Sequence, residues 1–307
     1  DFTVGLVYVK PLEMRALTMM LDERYRSEIP TAHGDDNEYI LGRIGDHNVV
    51  VVGPPRGEQG TVATAQTVPN IRLTFPNVTI GLLVGIGGGI PHYPEHDVRL
   101  GDVVVGAPES GPAVVQYDFG KRTADEGFEV TRTLAKPPRL LLSVVNKVED
   151  KYGYLRTGDE DVLKVHLSRF LEYPNLKKQF YDRPQVPDRL FLAPFTHQPG
   201  TVCAEHESDM EVARKTRETG DHIVVHYSTI LSGDTLMKSP GARDALSRKH
   251  NNALCFDMEA AGLMDVFPCL VICGISDYAD SHKNDAWQKF AAAAAAAYAR
   301  EILLNMA

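Results

Sequence analysis

Six short runs rich in valine and isoleucine punctuate the chain at 4–9, 48–52, 80–84, 102–105, 223–231 and 270–274. Between several of them lie stretches with helical spacing, at 12–21, 61–74, 138–151, 240–249 and 258–266. A strand buried on both faces reads as a near-continuous apolar run, so this alternation predicts an α/β protein with a central, largely buried sheet. The C-terminal segment is the clearest helix. Asp285 opens it, seven alanines follow Phe290, and an acidic first turn combines with the best helix former. With 307 residues, 43% of them hydrophobic, the chain can bury one large core or two smaller ones. No repeat or low-complexity linker divides it, so 1–307 is read as one domain. Residues 155–200 break the alternation, being charged, aromatic and proline-rich, and read as an insertion. Such a segment either covers a site or subunit contact, or is a solvated surface excursion.

The 32 basic residues are outnumbered by 41 acidic ones, for a net charge of -9, and no Lys/Arg cluster is long enough to track a nucleic-acid backbone. A nucleic-acid partner is not expected. A nucleoside, which carries no phosphate, is compatible with that balance. No apolar stretch approaches the roughly 18 residues of a membrane span, and the first residues lack the basic start and cleavage site of a signal peptide. Cys203, Cys255, Cys269 and Cys273 form no C-x-x-C pair. Cys269 and Cys273 share a strand-like run, which at about 3.3 Å per residue sets them about 13 Å apart, too far to bridge. Reduced thiols, as in a cytoplasmic protein, are expected.

Two segments invite chemistry. In VGIGGGIP (84–91), glycines at 85, 87, 88 and 89 follow an apolar run, where a loop leaving a strand brings backbone close to a ligand. It is not a dinucleotide fingerprint, because the third glycine of G-x-G-x-x-G falls on Ile90, Pro91 follows, and no Walker lysine is present. A ligand loop and a tight turn both fit. The second segment pairs FDMEAAG (256–262) with GISDYAD (274–280). A carboxylate at a strand C-terminus suits acid catalysis by Asp277, and one opening a helix suits a polyol held by Glu259. The alternative is that Asp257 and Glu259 complement a helix N-terminus while Asp277 or Asp280 caps the next segment. Asp118-Phe119-Gly120 lacks the other kinase motifs. His92 and His96 are separated by Pro94, and His222 and His226 flank a strand; neither pair forms a metal ligand set, and no metal or organic cofactor is expected.

In order along the chain, GLVYVKPLEMRAL, VGIGGGIP, VRLGDVVVG (98–106), LSGDTLMKS (231–239) and the pair FDMEAAG with GISDYAD resemble the nucleoside phosphorylase and nucleosidase superfamily. That family includes purine nucleoside phosphorylases, uridine phosphorylases and methylthioadenosine/adenosylhomocysteine nucleosidases. The wording is most similar to its fungal branch, often the N-terminal domain of large nucleotide-binding receptor-like proteins. The resemblance implies a single-domain three-layer α/β/α fold with a central mixed, partly barrel-like sheet, and a homo-oligomer, a dimer by preference.

Site roles follow from the same resemblance. Met258 and Glu259 match the pair under the ribose, the glutamate accepting hydrogen bonds from its hydroxyls. Asp277 matches the aspartate that meets N7 of a purine, with Ser276 orienting it. Leu236 and Met237 fall where the family packs the base, although an aromatic residue is more usual at the first. The backbone at Ile86, Gly87 and Gly88 would fix the sugar and stabilise developing charge. Phosphorylases of the family bind phosphate through two arginines and a Ser or Thr; the same positions here hold Glu13, Leu83 and Ile86. A phosphate there would lose charge-assisted hydrogen bonds worth roughly 1.5–3 kcal/mol each. In the hydrolytic branch the first position is a glutamate acting on water, so Glu13 is the expected general base. The expected function is a purine nucleosidase converting adenosine-, inosine- or guanosine-type nucleosides and water to base plus ribose. The rivals are a phosphorylase using Arg56 as replacement cation, and a nucleoside-sensing or effector module of a receptor-like protein.

Overall fold

The computed structural model describes the chain apart from residues 27–28, 125–126, 154–159, 194, 196–208, 218–219 and 221. Its elements follow the order β1 (Val4–Val7), α1 (Pro11–Met19), β2 (Glu23–Arg24), β3 (Ile40–Ile44), β4 (His47–Val52), α2 (Gly60–Thr74), β5 (Ile80–Gly89) and β6 (Val103–Val105). Then come β7 (Val114–Gln116), β8 (Gly120–Arg122), β9 (Phe128–Val130), α3 (Arg139–Gly153), α4 (Val162–Leu167) and α5 (Pro174–Leu176). The chain closes with β10 (Val225–Tyr227), β11 (Ile230–Ser232), α6 (Pro240–Lys249), β12 (Cys255–Asp257), α7 (Ala260–Met264), β13 (Leu270–Asp277) and α8 (Gln288–Asn305).

Eleven strands form one mixed sheet, and helices flank it, as the apolar runs predicted. β1 runs parallel to β4 and β5, and β13 parallel to β5, while β6 and β12 enter antiparallel. Val4, Leu6, Val49–Val52 and Leu270–Ile272 are all buried, which is why these strands carry no polar alternation. The apolar run at 223–231 is two strands, β10 pairing with β6 and β11 with β12, because the chain changes neighbours within it.

The glycine segment differs from expectation. VGIGGGIP is not a loop after a strand; residues 80–89 are one strand of ten residues. β13 lines one edge of β5 from Leu82 to Gly88, while the other edge holds β1 over Ile80–Leu83 and β12 at Gly88 and Gly89. Pairing with β13 up to Gly88, and with β12 at Gly88 and Gly89, keeps the glycines extended. They are small because their surroundings are close: a Cβ on Gly87 would lie 2.4 Å from Cys255 Sγ.

α8 supports the sheet from behind. Its alanines Ala291–Ala297 are buried, and the helix approaches β13 so closely that a Cβ on Gly274 would lie 1.9 Å from the Ala291 carbonyl oxygen. The described part of 155–200 also packs on α8, burying Leu163, Leu167, Phe170 and Phe180, so it is not merely a solvated excursion. Cys255, Cys269 and Cys273 are free and buried; Cys203 lies outside the described residues. Among the described residues, no helix is long and apolar enough to cross a membrane.

Candidate functional site

The C-terminal ends of β1, β5, β12 and β13 converge on a cavity of about 230 Å³. Glu13, Ile86, Gly87, Gly88, Leu236, Met237, Met258, Glu259, Ser276 and Asp277 all line it, so the residues singled out from sequence meet at one place. Arg56 is exposed and is not among the described residues lining it, and Leu83 is buried in β5.

Glu13 gets its position from the start of α1. Pro11 occupies the first turn, and Glu13, in the third helical position, folds back so that Oε2 accepts the N–H groups of Val9 (2.9 Å) and Lys10 (2.8 Å). Its other oxygen, Oε1, accepts the Ile86 N–H across the sheet at 3.0 Å. Gly85 makes room, since a Cβ there would come within 2.9 Å of Oε1. Burial pushes the Glu13 carboxyl up, against the pull of these three N–H groups and of the Lys10 ammonium. The glycine strand therefore does not offer its Ile86 N–H to an incoming anion, because a carboxylate of the protein already occupies it.

The FDMEAAG segment divides its two carboxylates between the two sequence readings. Asp257 caps α7, Oδ2 accepting the Ala260 N–H at 2.9 Å. Its Oδ1 is buried without a partner among the described residues, and the residue lines the cavity. Glu259 stands at the N-cap of α7 without capping it. Its carboxyl turns instead to the Gly60 N–H at the start of α2 (3.2 Å) and to the Met258 N–H (3.2 Å), which leaves it on the cavity wall. Burial, then the charges of Asp257 and Glu13, push Glu259 up to about 8; burial foremost brings Asp257 to about 6. Three carboxyls thus share one desolvated wall, which favours a proton on Glu259.

Opposite them, Asp277 ends β13 beside Gly88, where the strand register shifts. Its Oδ1 accepts the N–H of Ala279 at 2.9 Å, and Ala279 has a left-handed φ of 49°. Its Oδ2 accepts from the Ser276 hydroxyl at 2.9 Å and from the Lys283 ammonium at 2.5 Å. Ser276 thus touches the carboxyl. Asp277 also closes its own turn through the Ala279 N–H, the local role that the capping alternative describes.

Leu236 is half exposed, and with Thr235, Met237 and Phe256 it forms the apolar side of the cavity. Tyr117 fixes that side, packing edge-on against Phe256 with centroids 5.4 Å apart and donating to the Thr235 carbonyl at 2.7 Å. Asp118 serves the same loop by accepting the Asp234 N–H, and Asp234 in turn caps α2 at Thr61. His92 lies 2.7 Å from the Ser247 hydroxyl, and His226 lies 3.1 Å from Asp102.

Sequence reasoning missed Lys10, Gln59 and Lys283 on the cavity wall, and it left Asp257 as a cap only. Lys10 precedes Glu13 by three residues and Lys283 follows Asp277 by six, but neither spacing is periodic, so only the fold brings them in.

A family model, the phosphorylase superfamily, matches residues 4–306. A nucleotide-binding leucine-rich repeat (NLR)-like protein of Hyaloscypha variabilis is 37% identical over 304 residues, 99% of this chain, and the chain spans 29% of that relative's length. An ATP nucleosidase of Escherichia coli is 34% identical over 93 residues, 29% of this chain and 18% of that protein. Futalosine hydrolase of Helicobacter pylori shares the fold with a TM-score of 0.61 at 17% identity, covering 98% of this chain and 97% of that one. A methylthioadenosine/S-adenosylhomocysteine nucleosidase from Neisseria meningitidis, in complex with methylthio-immucillin-A, gives 0.61 at 15% identity with 99% of both chains covered. With a family model spanning nearly every residue and the same architecture in these nucleosidases, the chain belongs to the phosphorylase superfamily.

Proposed function

We propose that this protein cleaves the N-glycosidic bond of a purine ribonucleoside, or of its 5′-phosphates, by transfer to water. One observation carries the reading: the Glu13 carboxylate sits on the Ile86 N–H, flanked by the aliphatic Ile86, where an attacking phosphate would need donors. Two like charges so close repel, while a water molecule gains an acceptor. The 5′-phosphates enter the proposal through the Escherichia coli relative, whose name records ATP as its substrate.

In this mechanism Glu259 meets the ribose hydroxyls, and its raised proton affinity lets one carboxyl both give and take a hydrogen bond. Glu13 takes the proton of the attacking water; burial raises its proton affinity in the direction a base requires. Asp277 meets the base at N7, on a wall supplied by Thr235, Leu236, Met237 and Phe256. Holding sugar and water in fixed geometry accounts for much of the acceleration.

Adenosine, inosine, guanosine, AMP and ATP are incubated with the protein with and without phosphate, and products are separated chromatographically. Free base with ribose or its 5′-phosphate, unaffected by phosphate, is expected. Strict phosphate dependence or formation of ribose 1-phosphate overturns the reading. A second reading, a module that binds a nucleotide without turnover, draws on the NLR-like relative, of which this chain spans 29%. Binding of nucleotide by wild type and Asp277→Ala alike, with no base released by either, supports it.

A further inference from the structure

We infer that Lys283 supplies the proton that departs with the purine, with Asp277 as the anion that positions it. The inference rests on the hydrolase reading above and asks where that reading's proton comes from. Of the groups touching the Asp277 carboxyl, the Lys283 ammonium and the Ala279 N–H can only donate. The Ser276 hydroxyl is the third, 2.9 Å from Oδ2 and 3.3 Å from the Gly87 carbonyl. A carboxylate with an obligate donor on each of its two oxygens is arranged as an acceptor. Lys283 is the neighbour that carries a transferable proton, lines the same cavity, and touches Asp277 at 2.5 Å.

The chemistry balances. As the C1′–N9 bond breaks, its electron pair enters the base and N7 becomes strongly basic, so an ammonium beside it can pass its proton to N7. Water oxygen bonds to C1′ and its proton passes to Glu13. Glu13 later releases that proton to solvent, and the neutral lysine amine takes one up. Lys283 is placed for that recovery, with its side chain 22% exposed while Asp277 is 3% exposed.

The test uses the full chain and the purine substrate that wild type cleaves, with Lys283→Ala and Lys283→Arg. Both variants are expected to fold, with kcat lowered on the order of 100-fold and KM within about threefold. The arginine variant keeps a cation beside Asp277 but releases no proton, so it should stay impaired. Added methylammonium should restore the alanine variant, and 7-methylguanosine, whose N7 needs no proton, should be cleaved by variant and wild type at similar rates. Full activity in Lys283→Ala or in Lys283→Arg overturns the inference. So does equal loss on both substrates without amine rescue, which marks a structural role. A wild-type protein that cleaves no purine nucleoside or nucleotide removes the hydrolase reading, and this inference with it.

Discussion

Replacing Glu259 by Gln should change how stability depends on pH more than it changes stability itself. In the unfolded chain this carboxyl titrates near its ordinary value of 4.5, and in the folded chain burial, Asp257 and Glu13 push it up to about 8. The folded state therefore binds the proton more tightly, and Glu259 contributes stability that is complete below 4.5 and is lost as pH rises through 8. At ~1.4 kcal/mol per pH unit, the full span is on the order of 5 kcal/mol. Water entry and local relaxation reduce such penalties, so about 2–3 kcal/mol is the expected difference between acid and alkaline limits. Gln keeps the neutral form at every pH but offers one acceptor oxygen where the carboxyl uses two, for Gly60 and Met258. That costs about 1 kcal/mol. Glu259→Gln should thus be slightly less stable than wild type at pH 5 and more stable at pH 8.5. At roughly 2 °C per kcal/mol for a chain of this size, the two melting curves should cross and then separate by a few degrees. Thermal unfolding of both proteins from pH 4.5 to 9 measures this, and groups common to both cancel in the difference. Parallel pH profiles would show that Glu259 does not hold its proton in the folded protein, and the account of the three-carboxyl wall would fail.

Two structural predictions follow from contacts remote from the chemistry. Gly274→Ala places a methyl group 1.9 Å from the Ala291 carbonyl oxygen, so α8 must move off β13; a loss of about 3 kcal/mol or more is expected in urea unfolding, and a wild-type midpoint would refute the close packing. Asp102, buried beneath β6, accepts from Arg217, from His226 and from the N–H groups of Arg99 and Val224. Burial pushes its carboxyl up, but Arg217 and His226 outweigh this and hold it below the ordinary 3.8, so its contribution is present above that value and lost as pH falls. Asp102→Asn should cost about 3–5 kcal/mol at pH 7 and progressively less toward pH 3, a trend that denaturant titrations at several pH values would check.

How much of this molecule is legible in the sequence depends on the distance over which each feature is decided. Strands and helices were readable because burial of both sheet faces writes itself locally as apolar runs, and because helical spacing, Pro240 and the alanines of α8 act within a few residues. The order of motifs sufficed to pick out Glu13, Glu259 and Asp277. Only tertiary structure decided that 80–89 is a strand, since the strands that pair with it, β13, β1 and β12, are remote in sequence. Only it could turn Glu259 away from the helix it begins, toward Gly60, and leave Asp257 to cap that helix instead. The seating of the Glu13 carboxyl on the Ile86 N–H, and the pairing of Lys283 with Asp277, belong to the same class. Residue types and spacing fix which groups are available; proton affinity and pairing depend on desolvation and on neighbours brought together through space, and those exist only once the chain has folded.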